Sequence, residues 1–216
     1  MTVAERLAAV HDRIEAAGGD PGAIVVVAVT KGFDSAAVDA AVAAGLVDLG
    51  ENYAQELLAK AAGAPSGVRW HAIGRLQRNK VRSIAPHVAL WQSVDRPELG
   101  AEIARRAPGT AVLAQVNVSG ESTKGGCAPE DVAALVRDLT ADGLDVHGLM
   151  AVGATGPPDA ARPGFALLRD LADRLALPVR SMGMTADLEV AVAEGATMVR
   201  IGTALFGPRS PGRATH

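Results

Sequence analysis

Apolar runs of strand length alternate with helical segments through almost the whole chain, and this alternation constrains the fold more than any single residue. The strand-like segments fall at 24–30, 47–50, 69–74, 88–94, 111–118, 144–152, 179–183 and 197–202. Helical patterns lie between them, for example at 35–44, 129–141, 160–175 and 187–194. Asp34 or Ser35 is placed to cap the first of these helices, and Gly45 to stop it. Strands that alternate with helices build a parallel sheet. Eight such units with nothing long left over predict a closed (β/α)8 TIM barrel rather than an open doubly wound sheet. The expected organisation is one domain over residues 1–216. Residues 1–17 form a helix on the barrel floor or against its outside, and 207–216 a flexible tail. The Pro/Gly-rich stretch 153–163 reads as the loop after strand six.

The composition narrows the class further. Hydrophobic residues make up 49% but aromatics only 3%, so the core must be built from Ala, Val, Leu and Ile. A net charge of −3 offers no electrostatic reason to expect nucleic acid or an anionic membrane as partner. Cys127 is the single cysteine, which excludes an internal disulfide and a cysteine-based zinc site, and the histidines show no metal-ligand spacing. No apolar run approaches a membrane span, and the N-terminus lacks a signal-peptide pattern. The expectation is a cytoplasmic protein, with a monomer as the default.

A barrel of this kind carries its site at the C-terminal ends of the strands. Lys31 ends the chain's most apolar run, Ala23-Ile-Val-Val-Val-Ala-Val29, with Thr30 between. Of 21 basic residues only Lys31, Lys60, Lys80 and Lys124 are lysines. An ammonium at the exit of a buried strand is costly to desolvate. What lysine offers over arginine is a nitrogen that can lose its proton and attack a carbonyl. Ser181, Gly183 and Thr185 lie at the end of strand seven, and Gly202 and Thr203 at the end of strand eight, leading into the two loops where barrels bind phosphate. A helix starting after Thr185 would turn its amides toward an anion. Strand eight alternates so that Arg200 points into the barrel and Val199 and Ile201 toward the helices. A buried arginine needs a partner, either a carboxylate such as Asp48 or Glu51, or a bound ligand.

An imine-forming lysine, a phosphate cradle and an inward arginine together describe a pyridoxal 5′-phosphate (PLP) site. An aspartate at the pyridine nitrogen would keep it protonated and make the ring a strong electron sink. Arginine cannot accept that proton, so the sink stays weak.

The motifs that carry these residues resemble the pyridoxal-phosphate homeostasis proteins, the proline-synthetase co-transcribed or alanine-racemase-like PLP-binding family. The matching segments are Val29-Thr-Lys31, Gly50-Glu-Asn-Tyr-Ala-Gln-Glu56 and Trp70-His-Ala-Ile-Gly-Arg-Leu-Gln-Arg-Asn-Lys80. Further on come Gln115-Val-Asn-Val-Ser-Gly-Glu-Ser-Thr-Lys-Gly-Gly126, Gly148-Leu-Met150, Ser181-Met-Gly-Met184 and Met198-Val-Arg-Ile-Gly-Thr203. The resemblance spans nearly the entire chain and implies the barrel of the alanine racemase N-terminal domain. It implies that Lys31 forms a Schiff base with PLP, that Arg200 faces the ring nitrogen, and that Asn52 neighbours the ring. Ser181, Gly183, Gly202 and Thr203 would surround the phosphate. The chain departs from the pattern at Thr185, where relatives often carry Ser, and at Ala72, where a larger residue is common and packing near the site would loosen.

Alanine racemases need a second base, a tyrosine from an additional C-terminal domain. Only thirteen residues follow Thr203 here, and the one tyrosine, Tyr53, follows strand two, where a packing role is expected. The expectation is therefore a non-catalytic PLP-binding protein that buffers or delivers the cofactor, with PLP-dependent apo-enzymes as partners. The alternatives are a low-activity amino-acid racemase and a lyase using Lys31 on a sugar carbonyl. Lys80 is read as a solvated helix residue, Lys124 as a loop residue with transient acceptance of PLP as its functional alternative, and Cys127 as an ordinary loop thiol. His71 is left between a satisfied strand histidine and a polar contact to the cofactor.

Overall fold

The computed structural model describes residues 1–208. Its strands are β1 (Val25–Val29), β2 (Asp48–Glu51), β3 (Arg69–Ala72), β4 (Val88–Val94), β5 (Ala111–Gln115), β6 (Asp145–Met150), β7 (Val179–Ser181) and β8 (Met198–Ile201). Each pairs in parallel with the next, and β8 returns to β1 with Val25 opposite Met198 and Val27 opposite Arg200, closing the barrel in chain order. Helix α1 (Val3–Ala16) precedes the barrel. Helices α2 (Ser35–Ala43), α3 (Ala54–Ala61), α4 (Arg78–Ile84), α5 (Pro97–Arg106), α6 (Val132–Ala141), α7 (Arg162–Arg174) and α8 (Leu188–Ala193) follow the strands in turn. The expected eight-fold alternation holds.

The pleat divides each strand between two cores. Outward residues such as Val26, Ala28, Leu49, Val112, Leu149, Val199 and Ile201 pack under the helices, with Trp91 and Phe165 among the largest side chains there. Inside the barrel, Val27, Leu90, Leu113, Met150 and Met198 form a small apolar plug. Ala72 is buried in the outer layer, so the small side chain expected to loosen the site instead faces the helices.

The differences from the sequence reading are local. Asp34 occupies the N-cap of α2 but its carboxylate makes no capping hydrogen bond, while Gly45 does follow the helix, at φ 86°. Strands five and six stop short of 118 and 152, because the chain there leaves the sheet to build the barrel mouth. The helix expected at 160–175 begins with a 3-10 turn at Pro158–Ala161. One extra turn, α9 (Thr203–Phe206), follows β8 directly. Of the tail expected at 207–216, residues 209–216 lie outside the described residues.

Helix α1 packs against the outside of the barrel, beside α8 and α9. A capping box between Thr2 and Glu5 starts it, and Val10 and Ile14 are its buried face. Arg13 crosses to Glu189 of α8 and donates to the Thr185 carbonyl at 2.8 Å, tying the helix to the loop after β7. Among the described residues no helix is long and apolar enough to cross a membrane.

Candidate functional site

A cavity of about 450 Å³ opens at the C-terminal ends of the strands. Lys31, Asn52, Thr185, Arg200, Gly202 and Thr203 all line it, brought together from the ends of β1, β2, β7 and β8. Its apolar wall is Val29, Phe33, Ile73, Val152, Met184 and Ala186. The volume falls within the range of about 300–1,000 Å³ usual for small-molecule sites.

The backbone leading to Lys31 is held rigidly. Thr30 is fully buried, its hydroxyl donates to Glu51 Oε1 at 2.6 Å, and its carbonyl accepts from Lys60 Nζ at 2.7 Å. Lys60 also binds Glu51 in a pair whose side chains are 6% and 0% exposed. Burial pushes the Glu51 carboxyl above its ordinary range, and hydrogen bonds from Lys60 and Thr30 only partly oppose that. The sequence signal for Lys60 is its i, i+4 spacing from Glu56, which the structure shows as a 3.4 Å contact.

Arg200 is 4% exposed, and among the described residues no carboxylate hydrogen-bonds to it. One terminal nitrogen donates to Ser181 Oγ and the other to the Ala151 carbonyl, each at 2.7 Å. Asp48 is engaged by Arg69 and His71, and Glu51 by Lys60 and Thr30, so neither forms the ion pair weighed for Arg200. Burial pulls the Arg200 guanidinium down to about 10, with Asp187 opposing, which leaves it a cation at neutral pH. Its hydrogen bonds among the described residues go to neutral oxygens, Asp187 acts on it without a hydrogen bond, and the group lines the cavity.

Ser181 and Gly183 do not line the cavity. Ser181 is fully buried behind Arg200, accepting from it and donating to Gln92 Oε1 at 2.7 Å. Gly183 has φ 94°, and a Cβ there would lie 2.4 Å from that of Ala191, so it lets the β7 loop close onto α8. Its carbonyl accepts from the Arg200 amide at 3.0 Å.

The loops after β7 and β8 are linked by the Ala204 amide, which donates to Thr185 Oγ1 at 3.2 Å. Helix α8 begins later than the sequence suggested, and at its start Asp187 accepts from the Met184 amide at 2.6 Å. A carboxylate thus already occupies the end expected to face an anion. Short α9, with Gly202 at its N-cap, is the element that instead begins at the cavity. It is the kind of extra turn that completes barrel phosphate sites.

His71 is a satisfied strand histidine, with Nε2 at 3.0 Å from Asp48 Oδ1 and Nδ1 at 2.7 Å from Gln92 Nε2. Tyr53 is 54% exposed, so its expected packing role is not met. Lys80 lies on α4 away from the cavity lining. Lys124 lines a neighbouring cavity of about 240 Å³, where it binds Glu121 and the Gly153 carbonyl. With Lys124 and both donors of Thr155 around it, the Glu121 carboxyl is held down to about 2, clamping the loop after β5 to the loop after β6. No group of three or more metal-ligating side chains occurs among the described residues.

Comparison with known proteins connects this geometry to a family. The family defined by the alanine racemase N-terminal domain matches residues 4–210. A pyridoxal phosphate homeostasis protein of Pseudomonas aeruginosa is 46% identical over 224 positions, covering 98% of this chain and 97% of that one. The chain belongs to the pyridoxal phosphate homeostasis protein family. Its member from Escherichia coli K12 is 36% identical, with 96% and 97% of the two chains covered. The structure of PipY from Synechococcus elongatus PCC7942, solved with PLP bound, superposes with a TM-score of 0.82 at 33% identity, covering 95% of this chain and all of PipY. Alanine racemase of Clostridium difficile 630 shares the fold alone, with a TM-score of 0.74 at 15% identity; this chain covers 56% of its length.

Proposed function

We propose that this chain binds PLP in the cavity at the mouth of the barrel and serves to buffer or deliver it, without catalytic turnover. The observation that carries the reading is the convergence of Lys31 and Arg200 on one cavity that Thr185, Gly202 and Thr203 also line. These donors fit the group: an amine for its aldehyde, small and hydroxyl-bearing residues with a helix start for its phosphate, and an obligate donor for its ring nitrogen. PLP, when bound, supplies an aldehyde and a ring that withdraws electrons strongly only if its nitrogen is protonated. Arg200 stays a cation and gives no proton-accepting partner to that nitrogen.

The lining also argues against a racemase. Among the described residues Lys31 and Arg200 are its only titratable members, and a proton exchanged on two faces of a substrate needs a second base. Tyr53 lies on the surface outside this lining. The carrier reading takes PLP-dependent apo-enzymes as the recipients and a monomer as the acting form.

The test is borohydride reduction of PLP-loaded protein followed by peptide mapping. The expected result is a pyridoxyl group fixed on Lys31 and lost in Lys31→Ala. Label found only elsewhere overturns the site, and Lys31-dependent racemisation of alanine overturns the carrier role. Transfer of PLP to an apo-enzyme in the presence of a trap for free PLP distinguishes delivery from buffering.

A further inference from the structure

Arg200 is the end of a line of buried polar side chains that crosses the barrel interior. Starting from the opposite end, Arg69 is a largely exposed residue that binds Asp48, which accepts from its Nε at 2.8 Å. Asp48 meets His71, His71 meets Gln92, Gln92 meets Ser181, and Ser181 meets Arg200, with contacts of 3.0, 2.7, 2.7 and 2.7 Å. His71, Gln92, Ser181 and Arg200 are each 4% exposed or less, so none of these bonds is exchanged readily with water.

The bonds run in one direction, and the chemistry of the ends sets it. Asp48, between a guanidinium and an imidazole, has its carboxyl held below the ordinary range; desolvation pushes upward, but the hydrogen bonds from His71 and Arg69 outweigh it. It is an acceptor only, so His71 carries its proton on Nε2 and offers Nδ1 as an acceptor. Gln92 must then turn its amide nitrogen to His71. The same nitrogen lies 3.2 Å from the Met198 thioether, a second group that can only accept. With its nitrogen so committed, Gln92 presents Oε1 to Ser181. The Ser181 hydroxyl donates to that oxygen and leaves its lone pair for Arg200, whose guanidinium has donors alone.

We infer that Gln92 and Ser181 are positioning residues for Arg200, and that they set how the cavity holds the ring of its ligand. The arrangement solves two problems together. It anchors a buried guanidinium at a fixed angle through a neutral hydroxyl and keeps Asp48 three side chains away, while Asp187, the carboxylate whose charge acts on Arg200, makes no hydrogen bond to it among the described residues. A carboxylate directly on Arg200 would anchor it equally well but would cancel the charge that the cavity presents. The sequence signal is slight: Gln92 and Ser93 are the polar residues inside an otherwise apolar β4.

This inference rests on the PLP reading, and the experiment separates the two. Full-length protein is loaded with PLP, and the dissociation constant and the absorption spectrum of the bound cofactor are recorded for wild type, Arg200→Leu, Ser181→Ala, Gln92→Met and Gln92→Glu. A wild type that neither binds PLP nor fixes label on Lys31 refutes the functional reading before any variant is compared. The expected result for Ser181→Ala and Gln92→Met is binding weakened roughly tenfold, as for loss of one oriented hydrogen bond, with a spectral change in the direction of Arg200→Leu. Gln92→Glu keeps the acceptor for Ser181, so its binding and spectrum stay closer to wild type than those of Gln92→Met. A purely structural role would lower the melting temperature of Ser181→Ala and Gln92→Met yet leave affinity and spectrum unchanged, and that outcome overturns the inference. Should Ser181→Ala fail to fold, the contrast between Gln92→Met and Gln92→Glu decides it: equal behaviour of the two overturns it.

Discussion

Replacing Lys60 with methionine tests how Lys31 is held in place. The Lys60 ammonium donates to the Thr30 carbonyl at 2.7 Å and to Glu51 Oε1, with Glu56 Oε2 at 3.4 Å. Methionine keeps the length of the stem and removes the charge. Glu51, whose Oε2 has no hydrogen-bond partner among the described residues, would retain the Thr30 hydroxyl. Removing one member of a buried ion pair costs about 3–5 kcal/mol, and the lower end applies because Glu51 can escape by taking up a proton. Its carboxyl is already pushed up by burial, with Lys60 and Thr30 opposing, and loss of Lys60 raises it further. A carboxyl with a raised folded-state pKa binds a proton that the unfolded chain has released, so stability falls as pH rises from the unfolded value through the folded one. The deficit of Lys60→Met is therefore largest at neutral pH and shrinks toward the ordinary glutamate range, near about pH 4.3. Urea unfolding followed by tryptophan fluorescence reads this directly: at a slope of about 2 kcal/mol per M, the midpoint drops by about 1.5 M at neutral pH. Lys60→Met/Glu51→Gln should recover more than half of the loss. A single variant within about 0.5 kcal/mol of wild type, or a double variant no more stable than the single, would refute the argument.

Two further outcomes follow from the geometry around the site. Gly183→Ala forces an alanine to φ 94° with its Cβ 2.4 Å from that of Ala191, so a loss of about 2–4 kcal/mol is expected in thermal or urea unfolding, together with weaker PLP binding as the β7 loop shifts. An unchanged melting temperature would show that the loop tolerates the methyl group. Burial, with Asp131 next, pushes the Cys127 thiol up to about 11, so at about pH 8 only about one thiol in a thousand is ionised. Ellman's reagent should label Cys127 slowly in the native protein and at the ordinary rate in urea; rapid native labelling would contradict the burial argument.

The fold was legible in the sequence because a barrel writes a strong local signal. Each inner strand is covered on both faces and reads as an apolar run, and each helix between carries a repeating buried stripe, so eight units could be counted without knowing any contact. Position at a strand's C-terminal end then sufficed to bring Lys31, Asn52, Thr185, Arg200, Gly202 and Thr203 to one mouth. Ser181 and Gly183 have the same local address but point elsewhere. Ser181 alternates inward one layer below the cavity, and Gly183 is spent on close packing against Ala191.

The architecture, and the end of the barrel at which chemistry occurs, follow from the order of residues, since periodicity and strand direction are properties of the chain read in order. Which side chain answers Arg200 was decided by tertiary structure alone. Asp48, Gln92 and Ser181 come from β2, β4 and β7, and only closure of the sheet makes them consecutive in a line of hydrogen bonds. The same holds for Lys60, whose ammonium could reach Thr30 and Glu51 only after α3 had packed beside β1 and β2. A buried charge takes whichever oxygen lies within about 3 Å, and that distance is set by packing across the barrel rather than by spacing along the chain.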